Sequence, residues 1–182
     1  MNKKLKVLLI SNTVFVFAGS MLVPIYALFV IKLGGSATLA GLLYGSHFVA
    51  NSVTNLLVIR IRDKRELFYK ILNFNYLIRG LCWLVLSFNQ TLFTLFLIQL
   101  IIGTMEAFGT PAFNSLISEN LDDRRHIKEW GTWELFSKPA IAVASILGGL
   151  IVNLYGFGQL FLIMSIFSFL SLIVLNSGRL IK

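Results

Sequence analysis

The chain has 182 residues, 57% of them hydrophobic and only 13% charged, with a mean hydropathy of +0.81. That leaves too few polar residues to cover a soluble domain, so the sequence points to an integral membrane protein of several spans. The net charge of +8 would suggest nucleic acid in a soluble protein. Here the basic residues sit in short loops between apolar runs and read as a topology signal, so no nucleic-acid partner is expected.

Taken in chain order, the first apolar run follows Met1-Asn2-Lys3-Lys4 and resembles a secretory leader with a small-residue cleavage point after Ala18. Ser11-Asn12-Thr13 interrupts its core, however, and the run continues to Ile31, so a retained first helix is the favoured reading. The predicted spans are about 5–31, 37–59, 67–88, 92–117, 132–154 and 159–175. Continuous rather than alternating hydrophobicity makes them helices and not barrel strands. Pro24 is predicted to kink the first of them. Turns are expected at 32–36, at Asn89-Gln90-Thr91 and at 155–158, and a longer polar loop at 118–131. Asn89-Gln90-Thr91 has the form of a glycosylation acceptor, but so short a loop beside a membrane argues against that use. The six spans form one domain over 1–182.

The hairpin after the second span, from Arg60 to Lys70, holds five basic residues and two acids. It cannot sit in hydrocarbon, and its basic excess marks the cytoplasmic side. By alternation, thirteen Lys and Arg fall on that side and only Lys32 on the other. Both termini are therefore expected in the cytoplasm, and a dual-topology protein, which needs a balanced count, is disfavoured.

Several features together resemble the N-terminal half of a major facilitator superfamily transporter. One is the loop pattern: a Gly-Ser outer turn, a basic inner hairpin, and a charged inner loop with Glu119, Asp122, Arg124, Arg125 and Gly131. Another lies in the fourth span. Gly103, Ala107 and Pro111 match a family spacing, with Gln99 where an Arg is usual. A third is the stretch from Ser145 to Phe161, with Gly148 and Gly149, which resembles a glycine-rich fifth helix entering the sixth. In the 2–3 hairpin the family signature is only partly present. Asp63 and the basic character of Lys64 and Arg65 survive, while Ile59 and Glu66 stand where glycines are usual. The resemblance implies two inverted three-helix repeats, with Pro24 and Pro111 at corresponding depths. It implies that the hairpin and the 4–5 loop, through Asp63, Lys64, Arg65, Arg124 and Arg125, control the conformational cycle. It also implies a second six-helix half, supplied by another copy, by another chain or by a longer version of this one.

Polar and ionisable groups inside the spans are the candidate functional residues, because lipid tolerates them only beside a cavity or a partner. Glu106 lies within the fourth span. It suits proton coupling or binding of a cationic solute, or else a fixed ion pair with Lys138 or Arg79. Glu134 and Lys138 stand one turn apart on the fifth span, acid before base, as an intrahelical pair prefers. Arg79 lies near the middle of the third span and suits a structural or an anion-binding role. His47, Asn51 and Asn55 share one face of the second span, for interhelical hydrogen bonds or for lining a cavity. Trp130 and Trp133 read as membrane-interface anchors. The single Cys82 excludes an intrachain disulfide. No constellation for an enzyme, metal or cofactor stands out.

The function expected from these features is secondary active transport of a small solute by alternating access, with protons as the candidate coupling ion. The location is the bilayer of the cell membrane. The alternative is a non-transporting membrane subunit or scaffold. A cavity bordered by Glu106, Lys138, His47 and Asn51 would favour transport; the same groups sealed in a dry, paired interior would favour the scaffold.

Overall fold

The computed structural model describes residues 3–61, 64–119 and 126–177. These residues form helices joined by short turns, with no strand among them. The helices are α1 (Lys3–Ser20), α2 (Tyr26–Lys32), α3 (Ala37–Val58), α4 (Arg65–Phe88), α5 (Leu92–Ser118), α6 (His126–Tyr155) and α7 (Phe157–Ser177). A short 3₁₀ turn, Val23–Ile25, joins α1 to α2. Pro24 sits in it, so the expected kink is a full interruption of the helical ladder. Pro111, by contrast, lies inside an unbroken α5, as membrane helices often allow.

Among the described residues, five helical stretches are long and apolar enough to cross a bilayer: Leu5–Lys32, Arg65–Phe88, Leu92–Ser118, Trp130–Tyr155 and Phe157–Ser177. α3 is not among them, although its 22 residues are long enough. The predicted second span contains Thr38, Ser46, His47, Asn51, Ser52, Thr54 and Asn55, and these dilute its hydropathy. The fifth helix starts earlier than predicted. α6 begins at His126, so the second half of the supposed polar loop is helix. The turn predicted at 155–158 narrows to Gly156 alone, whose φ of +84° only glycine adopts readily.

Capping explains several starts. The Ser36 hydroxyl accepts from the Leu39 amide at 3.2 Å, and that of Thr91 accepts from the Thr94 amide at 3.1 Å. Each satisfies one orphan donor of a first turn.

The closest helix pairings follow a pattern. α4 packs on α7, α3 on α5, α1 on α7, α4 on α5, and α1 on α6. With α1 and α2 taken together, exchanging them, α3 and α4 for α5, α6 and α7 respectively maps this set onto itself. Glycines permit two of the crossings. A Cβ on Gly103 of α5 would collide with the His47 carbonyl oxygen of α3, and one on Gly148 of α6 with the Met21 carbonyl oxygen at the end of α1. Small residues at such points let backbones touch, which is where membrane helices gain much of their packing energy. Nothing lies within 4 Å of a Cβ placed on Gly149, which makes no such crossing.

Polar bonds tie α4 to α1 and α7 through the interior. The buried Tyr76 hydroxyl donates to Asn12 Oδ1 at 3.1 Å, Ser168 donates to the Tyr76 carbonyl at 2.7 Å, and Ser165 to the Gly80 carbonyl at 2.8 Å. Replacing Tyr76 with Phe keeps the ring against Phe15, whose centroid is 4.4 Å away, and removes only the hydroxyl. The expected loss is about 1 kcal/mol, read as a lowered midpoint in thermal denaturation of the detergent-solubilised protein.

Candidate functional site

The site lies in a cavity of about 480 Å³ bordered by α1, α3, α4 and α5, with Trp133 of α6 also on its wall. Glu106 projects from α5 into its lining. One carboxylate oxygen, Oε2, lies 3.3 Å from His47 Nε2 and 3.5 Å from Arg79 Nη1. Three helices thus meet at a single oxygen: α3 brings the imidazole, α4 the guanidinium and α5 the acid. The Gly103 crossing sets the height of His47, because His47's own carbonyl presses on α5 one turn from Glu106.

Arg79 is held mainly by rings. Its guanidinium carbon is 4.8 Å from the centre of Phe15 and 5.5 Å from that of Trp83, both within cation–π range. Its side chain is 15% exposed against 36% for Glu106, so the acid is the more accessible partner. Arg79 Nε is buried with no hydrogen-bond partner, and so is Asn75 Oδ1 one turn away on α4. Each such group costs about 1–3 kcal/mol in a sealed interior. Both residues border the cavity.

The expected site residues divide into three groups. His47, Glu106 and Arg79 come together. Of the two ion-pair partners considered for Glu106, Arg79 is the one beside it. Lys138 instead lies 3.1 Å from Glu134 on α6, with both side chains at least half exposed. Asn51 and Asn55 turn to each other: the Asn55 amide donates to Asn51 Oδ1 at 2.8 Å and to the Asn51 carbonyl at 3.0 Å. Neither Asn51 nor Lys138 lines the cavity. Asp63, Arg124 and Arg125 lie outside the described residues, and Lys64 precedes α4. Arg65 is 3.8 Å from Glu119, linking the start of α4 to the end of α5.

Trp133, expected as an interface anchor, has a packing role in the interior. It packs edge-on against Phe113 at 5.4 Å and borders the cavity, while Trp130 packs against the core. Sequence reasoning also missed Asn12, Asn75 and Tyr76. Asn75 and Arg79 are four residues apart in an apolar helix, and that spacing was the available signal.

The family profile described as Major Facilitator Superfamily matches residues 8–177. The chain belongs to the Major Facilitator Superfamily. Members of this superfamily are membrane transporters rather than enzymes, and the chain is accordingly an integral, multi-pass membrane protein. A curated relative from Bacillus subtilis (strain 168), described as an uncharacterized MFS-type transporter, YitZ, is 26% identical over 165 residues. The match covers 89% of this chain and 99% of that one. The crystal structure of the POT family transporter PepTSo superposes with a TM-score of 0.78 at 15% identity, which shows the fold of the superfamily. That match covers 98% of this chain and 38% of the other, so the chain spans well under half of that transporter's length.

Proposed function

We propose that the chain is a six-span half of a secondary transporter, with both termini in the cytoplasm, and that Glu106 couples solute movement to protons. The observation that carries this reading is the meeting of His47, Arg79 and the partly accessible Glu106 on a cavity wall at mid-span. An acid with two basic neighbours on other helices can take a proton and release them, which changes the contacts between α3, α4 and α5. A scaffold has no need of such a group beside a cavity.

A second six-helix half would complete the solute path. The exposed faces of α3 and α6 support this. Leu42, Val49 and Val53 are exposed on α3, and Leu135, Ile146 and Leu150 on α6. On α6 the Glu134–Lys138 pair shares the open face, and lipid is a poor neighbour for an ion pair. A parallel homodimer or a separately encoded half would give the pair a polar environment. The seat of the assembly is the cell membrane.

The test is the mass of the intact complex, by native mass spectrometry from gently solubilised source membranes. A dimer, or a complex with a second multi-span chain, is the expected result. A lone chain of about the sequence mass would remove alternating access between halves and leave the scaffold reading.

A further inference from the structure

We infer that the solute is an organic carboxylate on an aromatic or branched apolar body, and that its carboxylate takes the place of Glu106 on Arg79. This deepens the transport reading and rests on it for the word solute; the binding chemistry rests on the cavity alone.

Arg79 leaves part of its donor fork unused. A guanidinium presents five donors in a planar fork matched to two carboxylate oxygens. In this structure its ion pair with Glu106 has Nη1 at 3.5 Å from Oε2, longer than a charge-assisted hydrogen bond normally is. Nε has no partner. Glu106 therefore neutralises Arg79 without filling its fork, while also facing His47 at 3.3 Å. An acid so shared is a replaceable partner. A bidentate carboxylate would fill the fork, and the proton that frees Arg79 would sit on Glu106.

The rest of the wall suits the body of such a solute. Phe15 and Trp83 flank the guanidinium. Tyr44 and Phe48 lie edge to face at 5.2 Å on α3 and also border the cavity. Binding sites of this kind are mostly apolar, with a few polar groups that fix orientation. Asn75 Oδ1, buried and without a partner, is an acceptor one turn from Arg79 and favours a carboxylate that also has a hydroxyl or amino donor. A cationic solute fits poorly: it would have to displace both Arg79 and His47 from Glu106 and leave the guanidinium facing aromatic rings with no counter-charge.

The test uses the complex purified from source membranes and reads tryptophan fluorescence, since Trp83 and Trp133 both border the cavity. The probes are phenylacetate, its neutral amide phenylacetamide, and inorganic phosphate. Phenylacetate is expected to give a saturable change that the amide does not give. Glu106→Gln removes the competing charge and should tighten phenylacetate binding by about tenfold or more, whereas Arg79→Gln should weaken it by about tenfold to a hundredfold. Arg79→Lys keeps the charge without the fork and should fall between wild type and Arg79→Gln.

Equal binding of the amide would overturn the inference. So would stronger binding of phosphate than of phenylacetate, or a Glu106→Gln variant with unchanged or weaker carboxylate affinity. The last outcome decides the matter even if Arg79→Gln does not fold. The two readings can fail separately. Carboxylate binding without proton-linked flux in proteoliposomes would end the transport reading only. Proton-linked flux of a neutral or cationic solute without carboxylate binding would end this one only.

Discussion

Replacing Glu106 with Gln is expected to abolish accumulation driven by a proton gradient. Across a gradient of about one pH unit, one coupled proton supports about tenfold accumulation, equivalent to about 1.36 kcal/mol. The amide keeps the size of the side chain and an acceptor for His47 and Arg79, which lie 3.3 Å and 3.5 Å from the acid. It has no proton to load or release. Any loss is then a loss of coupling rather than of packing, and an unchanged thermal midpoint for the variant would confirm that. The measurement is uptake by proteoliposomes holding the complex, with and without an imposed pH gradient. Gradient-driven accumulation equal to wild type would remove Glu106 from the coupling step.

The largest expected effect on stability is at Gly103. A Val there places its Cβ against the His47 carbonyl, which is backbone and cannot rotate away as a side chain would. Overpacking usually costs about 1–3 kcal/mol, and a backbone obstacle puts this case at or above the top of that range. The thermal midpoint should fall by roughly 6 °C or more. Gly41 and Gly45 on α3 supply the contrast, because nothing lies within 4 Å of a Cβ at either. Alanine at those two positions should be neutral or slightly stabilising, by up to about 1 kcal/mol from helix propensity. If Gly103→Val were as stable as Gly45→Ala, the close crossing of α3 and α5 would be wrong. The same variant also tests the site, since moving His47 away from α5 moves it away from Glu106.

Much of the fold was legible because apolar length and loop charge are one-dimensional signals. The predicted fourth span, 92–117, ends within one residue of α5 (Leu92–Ser118), because Thr91 caps one end and polar residues follow the other. The predicted fifth span began six residues late. His126 to Gly131 are polar or charged enough to read as loop, yet they extend α6. Polarity marks where lipid stops, not where helix stops.

The site was legible in part for a related reason. A rise of about 1.5 Å per residue gives the depth of a residue along its helix, and on that ground both Lys138 and Arg79 are candidate partners for Glu106. Depth does not say which way a side chain points or which helix is next door. α4 packs on α5, so Arg79 meets Glu106; the pairings of α6 are with α1 and α7, so Lys138 stays with Glu134. The stripe His47, Asn51, Asn55 shared a helix face in sequence but divides in the structure. His47 is buried against α5 at the Gly103 crossing, and the two asparagines satisfy each other.

The interruption at Val23–Ile25 makes the first span two rods rather than one. α2 packs on α3, and α1 on α6 and α7. Tyr26 on the short rod and Phe15 and Gly19 on the long one border the same cavity. A helix bends most readily where its ladder of hydrogen bonds is already broken. The interruption at Val23–Ile25 therefore lies between two groups of residues on one cavity wall, so the angle between the two rods sets how far apart those residues stand.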